Sequence, residues 1–195
     1  MTARLHQPRP DELTPEQRDL YDRLVTGKRA TGPRALPLTD AEGRLQGPFN
    51  AMLLNPELGD PLQRVGVAVR YGTALTARQR EIATLAVAAA ESSAYEWAAH
   101  AHLARAAGVT DEQITAIRDG GEVPLDDAAE RTVLDTAREL LTTGDLGDGG
   151  FAAARDALGI TVLYELITLV GYYRLLALQL RTLRVTAPDD GTESS

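Results

Sequence analysis

From residue 48 onward the sequence repeats the pattern of amphipathic helices: apolar residues recur three and four positions apart, capping residues precede them, and glycines follow. Thr76 and Gln79 form a capping box at the start of one such segment, and Thr110 caps another. Alanine dominates the apolar residues and aromatic residues make up only 5% of the chain, which favours closely packed helices over a sandwich of bulky strands. The sequence therefore predicts an all-α fold. The predicted helices cover residues 49–54, 56 or 58 to 70, 76–90, 93–107, 110–120, 126–142, 150–158 and 161–184.

Residues 1–46 lack this regular pattern and are predicted to form an N-terminal arm. Residues 14–17 combine a capping box with a proline at the first helical position, which predicts a short helix that ends near Gly27. Residues 28–37, rich in glycine, proline and arginine, are predicted to be a loop, and residues 38–47 a β-turn or small β-hairpin. Because such an arm buries little surface by itself, we expect it to lie on the core or on a neighbouring subunit.

The helical region, residues 47–185, is long enough for one domain, and the acidic, polar tail of residues 186–195 is predicted to be disordered. The most apolar run, residues 159–180, is interrupted by Glu165 and Arg174, and it therefore predicts a buried core helix rather than a membrane span. The first ten residues lack the apolar segment of a secretory signal. These features favour the cytoplasm.

Charge and composition exclude several classes of function. The chain carries 20 basic and 28 acidic residues, a formal net charge of −8, and no basic block, which argues against nucleic acid or an anionic membrane surface as a partner. It contains no cysteine, so disulfides, thiolate metal sites, iron–sulfur clusters and thiol peroxidase chemistry are excluded. Its few histidines do not have the spacing of a metal site, and no phosphate-binding glycine loop follows a predicted strand. We therefore expect neither a metal nor an organic cofactor.

One histidine, His100, has carboxylates at positions that would let it transfer protons. Glu96 is four residues before it and lies on the same face of the helix. If the helices before and after residues 90–91 form an antiparallel hairpin, Glu81 lies level with His100, since each is about ten residues, roughly 15 Å, from the turn. Glu81 borders the apolar stripe of its own helix and would need a partner for its charge. The sequence therefore predicts a Glu81–His100 pair with Glu96 one turn away.

This group of residues has the requirements of general acid–base catalysis. A carboxylate bound to one imidazole nitrogen fixes the tautomer and raises the basicity of the other nitrogen. Tyr95 and Trp97 would supply a hydroxyl and apolar walls. Arg70 or Arg80 would hold a substrate carboxylate, with help from the first amides of the helix that starts near Ser93.

Each of these residues also has a purely structural interpretation. Ser93 and Glu96 match a capping box, in which Glu96 would bond the amide of Ser93. His100 is equally compatible with a buried histidine of the core, and Glu81 with an exposed partner of an arginine on its own helix. The tyrosines of the last helix are more typical of core and interface contacts than of catalysis; they are Tyr164, Tyr172 and Tyr173.

Several segments, taken in order, resemble the carboxymuconolactone decarboxylase and alkyl hydroperoxidase D superfamily, and the resemblance covers roughly residues 47–185. The most specific element is Glu-Trp-x-x-His at residues 96–100 with an upstream Arg-Glu at residues 80–81. The resemblance implies an all-α bundle of the alkyl hydroperoxidase D type, and homo-oligomers that are usually trimers or hexamers. The other matching segments are residues 47–53, 70–71, 75–82, 106–110 and 163–173.

The resemblance also implies roles for individual residues. The peroxidase branch uses a Cys-x-x-Cys-x-x-x-His motif with an upstream glutamate; its cysteines fall on Ser93 and Glu96, its histidine on His100 and its glutamate on Glu81. Because both sulfurs are missing, the chain is more similar to the decarboxylase branch. The implied activity is that of a cofactor-free lyase or isomerase for a small carboxylated or lactone-like substrate. The alternatives are a tailoring enzyme for hydration, dehydration or cyclisation, and a non-catalytic oligomeric binding protein. The expected substrate-binding residues are Arg70, Tyr71, Ser93, Tyr95 and Trp97.

Overall fold

The computed structural model describes residues 4–32 and 36–185, without the side chain of Arg29, and these residues form helices and no strand. The all-α prediction is therefore confirmed. A 3-10 turn at Pro10–Glu12 precedes the first helix. The helices are α1 (Pro15–Thr26), α2 (Lys28–Thr31), α3 (Pro48–Met52), α4 (Pro56–Tyr71), α5 (Ala77–Ala90), α6 (Ala94–Ala106), α7 (Asp111–Arg118), α8 (Ala128–Thr143), α9 (Asp148–Leu158) and α10 (Ile160–Leu183).

The arm differs from its prediction in two places. The first part of the expected loop 28–37 is a short helix, α2. Gly27 ends α1, and the residues that follow it form a further helical turn. The expected hairpin at residues 38–47 is reduced to a single antiparallel bridge between Thr39 and Leu45. The carboxylate of Asp40 holds its turn by accepting hydrogen bonds from two backbone amides, those of Glu42 and Arg44. The predicted disorder of residues 186–195 lies outside the described residues.

Helix α5 is the centre of the bundle and packs against α6, α7, α8 and α10. Every residue from Glu81 to Ala88 is buried, so this helix has no solvent-facing side over two turns. Its alanines allow the neighbouring helices to approach closely on all sides. A charged residue within this stretch, such as Glu81, must therefore find its partner inside the protein.

Helix α10 packs along α5, α8 and α9 with one face and leaves apolar residues exposed on the other. By length and composition alone it could cross a membrane, but 44% of its most apolar window is buried inside the bundle. Two arginines of α10 form ion pairs with Glu91, which lies in the turn between α5 and α6. Arg174 Nε lies 3.0 Å from Oε1 of Glu91, and Arg181 Nη1 lies 3.3 Å from Oε2. This attachment fixes the part of α10 that lies beside α6.

The helix caps yield a matched pair of stability predictions. Thr76 Oγ1 accepts a hydrogen bond from the amide of Gln79, whereas the side chain of Ser93, at the equivalent position of α6, caps nothing. We expect Thr76→Ala to lower the free energy of unfolding by about 1 kcal/mol, and Ser93→Ala to change it by less than about 0.5 kcal/mol. Urea denaturation of both variants measures the difference, and equal losses would contradict it.

Candidate active site

His100 and Glu81 form a buried ion pair between α6 and α5. His100 Nδ1 lies 2.7 Å from Glu81 Oε2, and the residues are 4% and 3% exposed. The turn between the helices lies at residues 91–93, where Ser92 takes a left-handed conformation with φ of 51°. The contact predicted from the hairpin register is confirmed, and the interpretation of Glu81 as an exposed residue is wrong. Arg80 does approach Glu81, but its Nε lies 3.7 Å from Oε1, the carboxylate oxygen that does not bond His100.

Glu96 faces the second nitrogen of His100. Its Oε2 lies 3.4 Å from Nε2, and its Oε1 is buried without a hydrogen-bond partner among the described residues. Glu96 therefore does not bond the amide of Ser93, and the capping-box interpretation is wrong: one turn of helix brings the carboxylate directly over the imidazole. The imidazole thus lies between two carboxylates, one on each nitrogen.

The charges of this group shift its protonation. Burial lowers the pKa of His100, but the negative charges and hydrogen bonds of Glu81 and Glu96 outweigh it and raise the pKa to about 9. Burial raises the pKa of Glu81, but His100, Arg70 and Arg80 outweigh it and hold that pKa below its usual value. At neutral pH the pair is therefore an imidazolium and a carboxylate.

A cavity of about 70 Å³ lies beside His100 and Glu96. Its other polar groups are those of Arg70, Tyr95 and the tyrosines of α10. Tyr173 packs its edge against the imidazole, with ring centroids 5.0 Å apart, and Tyr172 packs against Tyr173. Apolar residues of the arm and of three helices complete the walls; they are Leu36, Pro37, Leu38, Pro48, Phe49, Ala99, Leu103 and Leu176.

The two tyrosines of α10 are the residues that sequence reasoning missed, because it assigned them to core and interface contacts. The pKa of Tyr173 is raised by burial and by the nearby charges of Glu96 and Glu81, so its phenol stays protonated and can only donate to a bound anion. A sequence feature that points to them is the Tyr172-Tyr173 pair on an otherwise aliphatic helix. Their position over His100 depends on packing between distant segments.

Not all predicted binding residues line this cavity. Arg70 and Tyr95 do, whereas Trp97, Tyr71, Ser93 and Arg80 do not. Trp97 lies on a different face of α6 from Glu96, because one residue further along is about 100° around the helix. There it stacks under Arg118 of α7, with 4.4 Å from the guanidinium to the ring.

The remaining two binding residues contact other parts of the fold. The hydroxyl of Tyr71 is buried close to the backbone of Gly32 in the arm. Ser93 lies on a separate cavity at the start of α6. The non-catalytic interpretation expected Trp97 and the tyrosines to fill the space over His100. Tyr173 does pack against His100, but Trp97 lies elsewhere, against Arg118, and a cavity remains beside His100 and Glu96.

Gly47 supports the cavity by allowing the ring of Tyr95 to lie against the backbone. Its φ of 59° and ψ of −139° are unfavourable for any side chain, and an added Cβ would lie within 2.7 Å of three atoms of Tyr95. The start of α3 and the wall of the cavity therefore require glycine at this position. Among the described residues, no group of three His, Asp or Glu side chains is arranged to hold a metal ion.

Residues 56–139 match the model of the carboxymuconolactone decarboxylase family. An uncharacterised peroxidase-related protein with an alkylhydroperoxidase AhpD core from Ralstonia eutropha JMP134 superimposes with a TM-score of 0.73 at 16% identity, over 96% of this chain and 93% of its own. An uncharacterised peroxidase-related protein from Silicibacter sp. TM1040 gives 0.73 at 14% identity, over the same shares of both chains.

A shorter structure also matches. A protein of unknown function from Agrobacterium tumefaciens, described as an AhpD-type antioxidant defence protein, gives a TM-score of 0.66 at 16% identity, over 74% of this chain and all of its own. No curated protein matches the sequence significantly. These structural likenesses identify the fold, an AhpD-like bundle.

The charge on His100 makes stability depend on pH. Because its pKa is raised from 6.5 to about 9 by folding, the stabilisation is fully present below pH 6.5 and is lost as the pH rises through 9. We expect the free energy of unfolding to fall by an amount on the order of 3 kcal/mol across this range. Urea denaturation between these pH values measures the fall. His100→Gln should be less stable and should lack it; equal slopes in the two proteins would contradict the assignment.

Gly47→Ala should destabilise the protein and displace Tyr95. We expect a loss of about 1–3 kcal/mol from the backbone conformation alone, with a further loss from the contact with the ring. Gly149→Ala, within α9 and with open space around it, is the matched control and should be neutral or stabilising. Chemical denaturation gives both values; a neutral Gly47→Ala would show that Tyr95 does not depend on this glycine.

Proposed function

Because this chain belongs to the carboxymuconolactone decarboxylase and alkyl hydroperoxidase D-like superfamily, we propose that it is a cofactor-free acid–base enzyme of the decarboxylase-like branch, a lyase or isomerase. Its substrate is a small carboxylated or lactone-like molecule. The observation that carries the proposal is the buried group Glu81–His100–Glu96, in which an imidazole lies between two carboxylates. His100 and Glu96 line a cavity.

In this proposal each member has a different task. Glu81 occupies Nδ1 of His100 and holds the imidazole in its charged form, so Nε2 is the nitrogen that exchanges protons. Glu96 has one oxygen beside Nε2 and one without a partner, and this free oxygen can accept a proton from bound substrate. Arg70 lies on the same cavity and can hold a substrate carboxylate.

In a decarboxylation the substrate supplies its own electron sink. The bond between carbon and carboxylate breaks, its electron pair passes into a conjugated carbonyl group, and carbon dioxide leaves. The imidazolium of His100 then gives its proton to the resulting carbanion or enolate carbon, and a proton from solvent restores it. In an isomerisation Glu96 removes a proton at one carbon and His100 delivers one at another, with no net change.

Thiol peroxidase activity is not part of this proposal. The structural neighbours from Ralstonia eutropha and Silicibacter are described as peroxidase-related, but peroxide reduction in the resembling family depends on cysteine thiolates. This chain has serine and glutamate at the two matching positions and no cysteine elsewhere. The chemistry that we propose for Glu96 and His100 is therefore proton transfer to and from carbon.

The arm supports a second candidate, a tailoring enzyme that hydrates, dehydrates or cyclises its substrate. Residues 36–38 of the arm line the cavity together with Phe49, so the arm contributes to the shape of the site. Such reactions use the same acid and base on a larger molecule. Product masses distinguish them, since hydration adds water whereas decarboxylation removes carbon dioxide.

The outer face of α10 supports assembly into a homo-oligomer. Apolar side chains that share one face of the helix are exposed along it, at Ile160, Tyr164, Ile167, Leu175 and Leu178. A trimer or hexamer in the cytoplasm is the assembly we propose, with a small molecule as substrate and with neither nucleic acid nor a membrane as partner.

The proposal is tested by turnover of a panel of small lactone acids, β-keto acids and β,γ-unsaturated acids in heavy water. Carbon dioxide release and deuterium incorporation at carbon are followed by NMR. We expect His100→Gln and Glu96→Gln to lower turnover by about 100-fold or more. His102→Gln, an exposed histidine of the same helix, is the matched control and should retain full activity.

Circular dichroism must show that these variants remain folded. Glu81→Gln should lower the pH at which His100 loses its proton and shift the pH profile of turnover with it. Full activity in both His100→Gln and Glu96→Gln would refute the catalytic assignment. Absence of deuterium exchange with every member of the panel would reject this class of substrate.

A further inference from the structure

A second cavity, of about 200 Å³, lies at the start of α6 and is separate from the one beside His100. Its walls come from the turn before α6 and from the end of α10, including Ser93, Arg181 and Arg184. Tyr95 lies between the two cavities and contributes to both. Nothing in the proposed acid–base chemistry uses this second space.

The start of α6 presents backbone amides that have no hydrogen-bond acceptor among residues 4–32 and 36–185. The first backbone bond of this helix runs from the amide of Trp97 to Ser93, so the three amides of residues 94–96 precede the helical ladder. The side chain of Ser93 accepts none of them. Ser93 itself is 8% exposed, lines the cavity, and has no hydrogen-bond partner for its hydroxyl in the part of the chain that the structure describes.

The charges around this cavity favour an anion. Arg181 and Arg184 line it, and Arg184 makes no ion pair with the described carboxylates. Glu91, an acidic residue in the turn before α6, is already paired with Arg174 and Arg181. Glu96, in the first turn of α6, directs its carboxylate towards His100 and away from the cavity. The opening of this cavity is therefore positively charged, although the chain as a whole has a net charge of −8.

We propose that this cavity binds a small oxyanion group, a phosphate or a carboxylate, between the first turn of α6 and the end of α10. The amides of the helix start point at the anion and the helix dipole favours its charge. The hydroxyl of Ser93 donates a further hydrogen bond, and the guanidinium of Arg184 supplies the charge-assisted contact. The inference is independent of the reaction catalysed at His100.

The test titrates the full-length protein with inorganic phosphate and, separately, with acetate, at constant ionic strength set with chloride. Amide chemical shifts of residues 94–96 report binding at the site, and isothermal titration gives the affinity. We expect these three amides to move on titration with at least one of the two anions. Comparison of the two anions shows whether the tetrahedral or the planar group is preferred.

Variants assign the contacts. Ser93→Ala combined with Arg184→Gln should weaken binding by about ten-fold or more, since it removes one hydrogen bond and the unpaired charge. Arg155→Gln, which removes an exposed arginine of α9 paired with Asp156, is the charge-matched control and should bind within two-fold of the unaltered protein. Unmoved amides with both anions, or an affinity unchanged by the double substitution, would overturn the proposal.

Discussion

The ion pair between Glu81 and His100 is the interaction on which the rest of the site depends. It crosses from α5, which is buried on all sides, to α6, and it ties the register of the two helices to the turn at residues 91–93. Removing either partner leaves an uncompensated charge in the core, at a cost of about 3–5 kcal/mol. Small shifts of one helix along the other are therefore strongly disfavoured, and Glu96 is held over Nε2 of His100 as a consequence.

Stability alone does not explain this arrangement. A buried ion pair is on average no more stabilising than apolar residues of the same volume, because both charges must leave water. Here a second carboxylate, Glu96, adds a further cost, and one of its oxygens lacks a partner. The attachment of α10 through Glu91 keeps Tyr173 against the same imidazole. A polar group that is expensive to bury and incompletely satisfied is better explained by chemistry at the cavity than by folding.

The sequence predicts the parts of this site that depend on local geometry. Capping residues predict the helix starts to within two residues. The hairpin register predicts the contact of Glu81 with His100, because the helical rise and periodicity of one continuous segment determine both positions. The tyrosines of α10 escape prediction for a physical reason: this helix is apolar on nearly all sides, so its periodicity does not indicate which face lies on α6. Trp97 shows the same limit. Its neighbour Glu96 points to the cavity, whereas Trp97 contacts Arg118 of α7. The pattern of α6 alone does not predict which helix packs on that face.

The glutamate at position 96 determines what the site can do more than the histidine does. A thiolate beside Nε2 would share its proton with the imidazole and act as a nucleophile. Against the effect of burial, the carboxylates of Glu81 and Glu96 together stabilise the imidazolium, raise the pKa of His100 to about 9 and make the imidazole a proton donor at neutral pH. A site with a charged acid on one side and a carboxylate with a free oxygen on the other can give and take protons on one substrate. Deprotonated His100 would be scarce at neutral pH, so Glu96 is the group in this cavity suited to be the base.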